Sequence, residues 1–479
     1  MSPLAKPLAI ALVIYVVATY AIGFAVQRRV EDAEDYLVAG RRLSMPLAFA
    51  TLLATWFGAG TMLTAADEVR RGGLRMAALE PVGAGLCLVL AGVFFAERLW
   101  NMKLLTLGDF FARRYGPRAE VLSAIVMIPG YFGWIAVQFI ALAGMLELMV
   151  GLPMKVGIAT VALVGMGYTL LGGMWAVTMT DALQLALLAL GLLILGYNVL
   201  DHLGSGELAA GIARLEAETP SAKLIFVPRE SRGAFIRWLG VILVASLGNL
   251  PGQDLLQRIF AAKDAATARR ACTLAGTAYV LLGAIPVLLG LAADLLVPGA
   301  IDKAVLPALA SGFLSPALAF VFAFALASAV LSTIDSALLS PSAVFAQNVL
   351  PHLLGKRGEK ALSDNRWAVV AVTAISLTVA YVGESAYELL ETAYEIGFVG
   401  LFVPLAMGTF TVPRREASAL AAMLAGAAVW GAHLILDWET FLGPHLSVAL
   451  PPSLVAVAFG FAAFVVSEKT APTPAPAAP

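Results

Sequence analysis

Charged residues are scarce in this sequence. Asp, Glu, Lys and Arg make up 13% of its 479 residues, about half the share that soluble domains carry. There are two cysteines, both in apolar segments, so a disulfide-stabilised fold is excluded and two buried thiols are expected. The net charge of −1 excludes the basic surface that nucleic-acid binding needs, so no nucleic-acid partner is expected.

Catalytic motifs are also missing. The four histidines are far apart in the sequence: His202, His352, His433 and His445. No H-E-x-x-H zinc motif, G-x-S-x-G nucleophile elbow or glycine-rich phosphate loop occurs. The sequence therefore predicts that the protein is not an enzyme, and no obligatory protein partner is evident.

Apolar residues are what the sequence has in excess, at 60%, and they are arranged in long runs. Runs such as 121–150 and 179–200 exceed the roughly 20 residues that cross a lipid bilayer as a helix. Thirteen such segments predict an all-α polytopic membrane protein. Basic residues concentrate in alternate loops, which predicts an outside N-terminus and a cytoplasmic C-terminus, in a bacterial-type inner membrane.

Two of these apolar segments are interrupted near their middles. The first, 45–66, is broken by Trp-Phe-Gly-Ala-Gly at 56–60, and the second, 234–260, by Gly-Asn-Leu-Pro-Gly-Gln at 248–253. Unwound backbone is tolerated at membrane depth only where it lines a cavity or binds something. Paired breaks at matching positions indicate the binding site of an inverted-repeat transporter.

The spans divide into two groups of five, each opening with a broken helix. Because five is odd, the second group enters the membrane from the opposite side, which makes the topology inverted. The predicted organisation is a single transporter domain over 1–466 and a disordered tail over 467–479. Within the domain we expect an extra N-terminal helix and loop (7–45), a first repeat (46–199), a second repeat (234–411) and two extra helices (412–466).

Oxygen-bearing and small side chains share one face of the ninth span. At about 100° per residue, a single arc holds Ser328, Ala329, Ser332, Thr333, Asp335 and Ser336. Hydroxyls with one carboxylate suit a hard cation, whereas close helix packing would explain the hydroxyls alone. Asp181, in the sixth span, is a second buried carboxylate, and Asp254 is expected to pair with Arg258 four residues on.

Several motifs together resemble the sodium:solute symporter family over about 30–410. They are Glu34-Asp35-Tyr36-Leu37-Val38-Ala39-Gly40-Arg41, Ala54-Thr55-Trp56-Phe57-Gly58-Ala59-Gly60, Thr106-Leu107-Gly108-Asp109-Phe110-Phe111, Gly172-Gly173-Met174-Trp175-Ala176-Val177 with Thr180-Asp181, and Ser332-Thr333-Ile334-Asp335-Ser336. The resemblance implies a five-plus-five inverted repeat of the LeuT type.

The resemblance also implies ion ligands. The main sodium site of the family falls on the carbonyls of Ala54, Phe57 and Ala329 and the hydroxyls of Ser332 and Thr333. A second sodium site, present in some members, falls on Asp181, Ser332, Asp335 and Ser336. Asp335 stands where that scheme has a serine.

Within the family the chain is most similar to the choline transporters, through Leu247–Arg258 and Tyr168–Gly173. Trp56 and Trp134 match positions of the aromatic cage that holds a quaternary ammonium, although both also suit ordinary core packing. Gly252 and Ala84 stand where that subfamily has Trp and Tyr. The predicted substrate-binding residues are Trp56, Gly58, Gly60, Trp134, Asn249, Gly252 and Gln253.

These observations predict a symporter that imports a small organic solute with Na+ by alternating access, the solute being cationic or choline-like. Two alternatives stay open from the sequence. The same fold could couple transport to protons through Asp181 or Asp335, or the protein could be a membrane sensor that does not transport.

Overall fold

The computed structural model describes residues 5–28, 30–297, 304–355, 362–382, 386–413, 415–443 and 450–470. Within these ranges every regular element is a helix, and the only β-type pairing is an isolated bridge between Leu43 and Ala262. This agrees with the all-α membrane fold that the apolar runs predict.

The α-helices are, in chain order, α1 (Ala5–Gln27), α2 (Ala33–Val38), α3 (Met45–Trp56), α4 (Ala65–Gly72), α5 (Ala84–Leu90), α6 (Ala96–Asn101), α7 (Leu107–Arg114), α8 (Pro117–Val150), α9 (Met154–Leu203), α10 (Leu208–Glu218), α11 (Arg232–Gly248), α12 (Gln253–Ala261), α13 (Ala265–Leu296), α14 (Val305–Phe313), α15 (Pro316–Val344), α16 (Leu350–Leu354), α17 (Leu362–Val382), α18 (Ala386–Gly397), α19 (Val403–Phe410), α20 (Glu416–Ile435) and α21 (Pro452–Lys469). Wider π-type turns occupy Gly60–Thr64, Leu79–Gly83, Ala91–Phe95, Phe345–Val349 and Phe398–Phe402, and short 3-10 turns occupy Ala39–Arg41, Leu74–Ala78 and Ser221–Leu224.

Both predicted interruptions are present. The axis turns by 57° between α3 and the helix that resumes at Gly60, and by 43° between α11 and α12. At the first break Phe57 leaves the helical region, with φ −81° and ψ 58°. At the second, Pro251 cannot donate a backbone hydrogen bond, and Gly252 is extended, with φ −71° and ψ 126°.

The number of membrane crossings depends on how the bent helices and the longest helix are counted. Ten helices are long and apolar enough to cross a membrane, or up to twelve if each bent pair is one span, within the described part of the chain. The predicted thirteen would require α9, which has 50 residues, to supply two crossings.

The chain does reverse inside α9. Gly173 has φ 53° and ψ −154°, outside the helical region. The hydroxyls of Tyr168 and Thr180 lie 3.1 Å apart, whereas twelve residues of continuous helix would separate their backbones by about 18 Å. The segment is therefore a helical hairpin, which agrees with two predicted spans at 155–172 and 177–199. The total of thirteen stays a prediction.

Close backbone contact joins the second break to α18. A methyl group added at Gly248 would lie 2.3 Å from the carbonyl oxygen of Tyr394, and one added at Gly397 would lie 2.2 Å from the carbonyl oxygen of Gly248. Only glycine fits at either position, as in other close helix contacts of membrane proteins. This contact places the unwound segment after α11 beside the face of α18 that lines the cavity described below.

The boundaries at the end of the chain differ slightly from the expectation. Helix α21 runs to Lys469, so the first residues of the segment expected to be disordered are helical. Residues 471–479, the rest of that segment, lie outside the described residues. The division into repeats and flanking helices stays a prediction.

Candidate functional site

The first break brings the carboxyl end of α3 against α15. The Thr333 hydroxyl lies 3.5 Å from the Ala54 carbonyl oxygen and 3.3 Å from the Ala329 carbonyl oxygen. All three residues are buried. Three of the five oxygen ligands predicted for the main sodium site therefore lie together, at the joint between a broken helix and the helix that carries the polar arc.

The unwound turn after Trp56 is held by Gln138 of α8, which the sequence analysis missed. Its side-chain oxygen accepts a hydrogen bond from the Ala59 backbone N–H at 3.0 Å, and its amide nitrogen has no hydrogen-bond partner among the residues that the structure describes. A methyl group added at Gly58 would lie 2.7 Å from the Thr333 hydroxyl and 2.9 Å from the Gln138 oxygen. Gly58 therefore lies on the ion side of the break.

Asp181 joins three helices. One carboxylate oxygen accepts a hydrogen bond from the Thr51 hydroxyl of α3, and the other accepts one from the Ser332 hydroxyl of α15. Its side chain is fully buried. The structure thus brings Asp181 to Ser332, as the second-site scheme requires, and directs the Ser332 hydroxyl to Asp181 rather than to Ala54.

A positive charge already lies beside the remaining second-site residues. The Arg258 guanidinium, fully buried, donates to the Ser336 hydroxyl, which is 3.1 Å from the Thr55 hydroxyl. Asp335 is buried on the same stretch of α15. Arg258 also donates to the backbone carbonyl of Asp254 at 3.1 Å. The expected side-chain pair between Asp254 and Arg258 is therefore wrong, because the guanidinium faces α15.

A cavity of about 600 Å3, including its open mouth, lies between the two breaks. Its lining is rich in aromatic rings and glycine: Trp56, Met127, Gly130, Tyr131, Trp134, Gly248, Asn249, Pro251, Gly252, Asp254, Ala393, Tyr394, Gly397 and Leu401. Four of the seven predicted substrate-binding residues are among them, namely Trp56, Trp134, Asn249 and Gly252.

The other three predicted substrate residues have different contacts. Gln253 is fully buried, and its side chain accepts from the Leu107 N–H at 2.6 Å and donates to the Leu105 carbonyl at 3.3 Å. It therefore anchors the start of α7. Gly60 lies against Leu390, whose methyl group would be 3.0 Å from an added Cβ. Gly60, Gly58 and Gln253 are not among the described residues that line the cavity.

Three polar or aromatic residues of the cavity were not predicted from the sequence. Tyr131 precedes Trp134 by three residues on α8, so helical spacing could have identified it, and their rings lie 5.8 Å apart. Tyr394 comes from α18, which no local pattern links to the breaks. Asp254 was assigned to an ion pair, although its position directly after the second break was a signal.

The buried Glu80 carboxylate supports the side of the cavity that Tyr394 and the end of α3 form. Its carboxylate accepts hydrogen bonds from the hydroxyls of Thr61 at 3.0 Å, Tyr279 at 2.5 Å and Tyr394 at 2.7 Å. The Tyr279 hydroxyl is also 3.0 Å from the Trp56 carbonyl oxygen. Three donors satisfy this buried carboxylate, and together they position Tyr394 and the end of α3.

A sequence comparison identifies the family. Residues 36–426 match the sodium:solute symporter family. The chain belongs to the sodium:solute symporter family. It is therefore a sodium-coupled membrane transporter for a small solute and not an enzyme. This finding favours sodium over the proton as the coupling ion, and transport over sensing.

Individual relatives agree with the family. The high-affinity choline transporter 1 of Caenorhabditis elegans is 26% identical over 396 residues, covering 78% of this chain and 66% of the relative. The human protein of that name is 26% identical over 413 residues, covering 83% and 70%. The sodium/pantothenate symporter of Escherichia coli (strain K12) is 24% identical, covering 94% and 96%. The chain thus spans about two thirds of the length of these two choline transporters.

Solved structures show the fold. A sodium-coupled sialic acid symporter in a substrate-bound outward-open state superposes with a TM-score of 0.80 at 18% identity, covering 97% of this chain and 98% of that one. A nucleobase-cation-symport-1 family transporter in a closed conformation gives 0.60 at 15% identity, covering 92% and 95%. The LeuT-type fold is therefore confirmed.

Replacing Asp181 by Asn is expected to destabilise the protein in sodium-free buffer. Asparagine offers one acceptor oxygen, so either Thr51 or Ser332 exchanges its charge-assisted hydrogen bond to a carboxylate for a weaker one accepted from the amide N–H, which costs about 1–3 kcal/mol. Thermal unfolding of the purified protein in detergent measures this. Glu207→Gln, at an exposed position, is the control and should unfold with the wild type. An unchanged melting temperature for Asp181→Asn would contradict the proposed linkage of the three helices.

Proposed function

We propose that this symporter imports a compact organic cation, of the choline-like kind, together with sodium. The observation that carries the proposal is the cavity between the two broken helices, with the aromatic side chains of Trp56, Tyr131, Trp134 and Tyr394 in its lining. Aromatic faces attract organic cations through their quadrupoles, by about 0.5–2 kcal/mol each. The choline transporters among the relatives support the same class of solute.

The main sodium ion is proposed to bind at the joint of α3 and α15. Its ligands would be the carbonyls of Ala54, Phe57 and Ala329 and the hydroxyls of Ser332 and Thr333. The short distances from Thr333 to the Ala54 and Ala329 carbonyls support this arrangement. A second sodium site at Asp181, Ser332, Asp335 and Ser336 is also proposed, with the Arg258 guanidinium as a competitor for the same oxygen atoms.

Coupling follows from where these two sites lie. Trp56 lines the solute cavity, and its neighbours Ala54 and Phe57 are proposed sodium ligands, so the carboxyl end of α3 carries ligands of both. Sodium at this turn would fix α3 against α15 and so position Trp56 for the solute. Rocking of one helix bundle against the other then exposes both ligands to the inside. We place the protein in a bacterial-type inner membrane with its N-terminus outside.

Replacing Trp134 by Ala tests the solute site. The proposal predicts that the solute concentration for half-maximal uptake rises roughly tenfold, because one aromatic face of the cation site is lost. Sodium dependence should change little. Uptake of labelled choline into proteoliposomes, driven by a sodium gradient and repeated with only a pH gradient, measures both quantities.

The matched control is Trp367→Ala, since Trp367 is 73% exposed on α17 and is not among the described residues that line the cavity. It should retain wild-type uptake. If the solute concentration for half-maximal uptake is the same in the two tryptophan variants, the proposed solute site is wrong. Uptake driven equally well by the pH gradient without sodium would contradict the proposed coupling.

A further inference from the structure

One charged side chain lines the solute cavity. Asp254 lies in the first turn of α12, directly after the second break, and is 6% exposed. Among the described residues of the lining it is the only acid, and no Lys, Arg or His accompanies it. The aromatic cavity is therefore also an anionic one.

The Asp254 carboxylate is held in place without a directly paired cation. The Tyr131 hydroxyl donates to one of its oxygens at 2.7 Å and accepts from the Asp254 backbone N–H at 3.1 Å. In the part of the chain that the structure describes, no cationic nitrogen lies within 4 Å of this carboxylate. The Arg258 guanidinium attracts it only from one helix turn away, because it donates to the Asp254 backbone carbonyl and to Ser336. A buried carboxylate without direct ion pairing is costly, and a cation in the cavity would lower that cost.

The backbone beside Asp254 leaves no room for a side chain at position 252. A methyl group added at Gly252 would lie 2.9 Å from the Asn249 carbonyl oxygen and 2.9 Å from an Asp254 carboxylate oxygen. The carboxylate therefore lies directly against the unwound backbone of the second break.

The Asp254 carboxylate determines which cations the site favours. A quaternary ammonium has no N–H group and is held by aromatic faces and by charge alone. A protonated amine keeps both of these attractions and can also donate a charge-assisted hydrogen bond, which is about twice as strong as a neutral one. A carboxylate in the aromatic lining therefore favours protonated amines over quaternary ammonium ions.

Resting on the solute site proposed above, we infer that Asp254 is the counter-ion of the transported solute and makes the transporter selective for protonated amines over quaternary ammonium ions. The residue acts by direct contact with the solute. Trp56, Trp134 and Tyr131 surround the rest of the cation.

Three probes of similar shape test the inference: N,N-dimethylethanolamine, which is a protonated amine, choline, which is its quaternary counterpart, and 3,3-dimethyl-1-butanol, which is the neutral carbon isostere of choline. Calorimetric titration of the purified protein in saturating sodium measures each dissociation constant. We expect the protonated amine to bind roughly tenfold more tightly than choline, as one hydrogen bond to a charged group requires. The neutral isostere should bind weakest.

Asp254→Asn supplies the decisive variant, since it keeps the shape of the side chain and removes its charge. Its affinity for dimethylethanolamine should fall by roughly 30-fold or more, since both the charge and the acceptor are lost, and its preference over choline should disappear. Glu120→Gln is the control. Glu120 is a part-buried carboxylate of α8 that contacts Asn348 and His352, away from the cavity. It should keep wild-type affinities.

Thermal unfolding separates a local effect of Asp254→Asn from poor folding. Because the asparagine oxygen can still accept from the Tyr131 hydroxyl, the variant should melt close to the wild type in saturating sodium without solute. Addition of dimethylethanolamine should raise the melting temperature of the wild type more than that of the variant.

Three outcomes overturn the inference. Choline binding as tightly as dimethylethanolamine to the wild type would remove the proposed selectivity and leave the cationic solute site standing. Sodium-dependent uptake of a neutral or anionic solute, with no binding of either cation, would contradict both the inference and the proposed cationic substrate. Unchanged amine affinity in Asp254→Asn would show that this carboxylate does not contact the solute.

Discussion

Sodium-driven uptake is expected to fall by up to roughly 100-fold when Gly58 is replaced by Ala. The added methyl group would lie 2.7 Å from the Thr333 hydroxyl and 2.9 Å from the Gln138 side-chain oxygen. Both neighbours are buried and part of the packed joint between α3, α8 and α15. Forcing such a group into a packed site costs about 1–3 kcal/mol, and here the displaced atom is a proposed sodium ligand.

The matched control for this substitution is Gly144→Ala in α8. No atom lies within 4 Å of a methyl group added there, and alanine is the better helix former, so uptake and stability should equal or exceed the wild-type values. Initial rates of uptake across a series of sodium concentrations distinguish the two variants. Near wild-type sodium affinity in Gly58→Ala would show that the ion does not depend on this turn.

The second large effect is expected for Thr333→Ala. The Thr333 hydroxyl lies within 3.5 Å of both the Ala54 and the Ala329 carbonyl oxygens, so it is the side chain that joins the α3 and α15 parts of the proposed sodium site. A hydrogen bond or ligand contact to a charged partner is worth about 1.5–3 kcal/mol. The sodium concentration for half-maximal uptake should therefore rise roughly 10- to 100-fold, measured at saturating solute.

Ser342→Ala is the control on the same helix. The Ser342 hydroxyl is buried and donates to the Leu338 carbonyl of its own helix turn at 2.6 Å, so its loss should leave the sodium dependence unchanged. The solute affinity of Thr333→Ala at very high sodium should approach the wild-type value, because the cavity itself is intact. Identical sodium dependence in the two variants would refute the main sodium site.

Much of the fold could be predicted because the bilayer imposes simple rules. Long apolar runs had to be helices, and the two interruptions at 56–60 and 248–253 had to line a cavity or a binding site. Both breaks are present, with bends of 57° and 43°. The hairpin at Gly173 agrees with the predicted spans 155–172 and 177–199, and the contact of Tyr168 with Thr180 supports it. The count of crossings was harder to predict, because helix length and hydropathy alone give ten to twelve candidate spans in the described part of the chain.

The site was predictable only where its residues lie near one another on one element. The polar arc of α15 follows from helical periodicity, and Thr333 does meet Ala54 across the joint. Gln138 and Tyr394 were missed, since each comes from a helix distant in sequence and has no local pattern. Arg258 was assigned to the wrong partner for the same reason: helical spacing identifies neighbours four residues apart, whereas Ser336 reaches Arg258 from another helix.

The sequence by itself determined the helical class, the two breaks and the polar face of α15, because these follow from the lipid environment and from the helical repeat. Only the tertiary structure decided which side chains meet. In it, the Ser332 hydroxyl donates to Asp181, the Gln253 side chain contacts the start of α7, and Asp254 lines the cavity. The physical reason is that hydrogen-bond partners of buried polar groups are chosen by the packing of helices remote in sequence, and no local pattern records that packing.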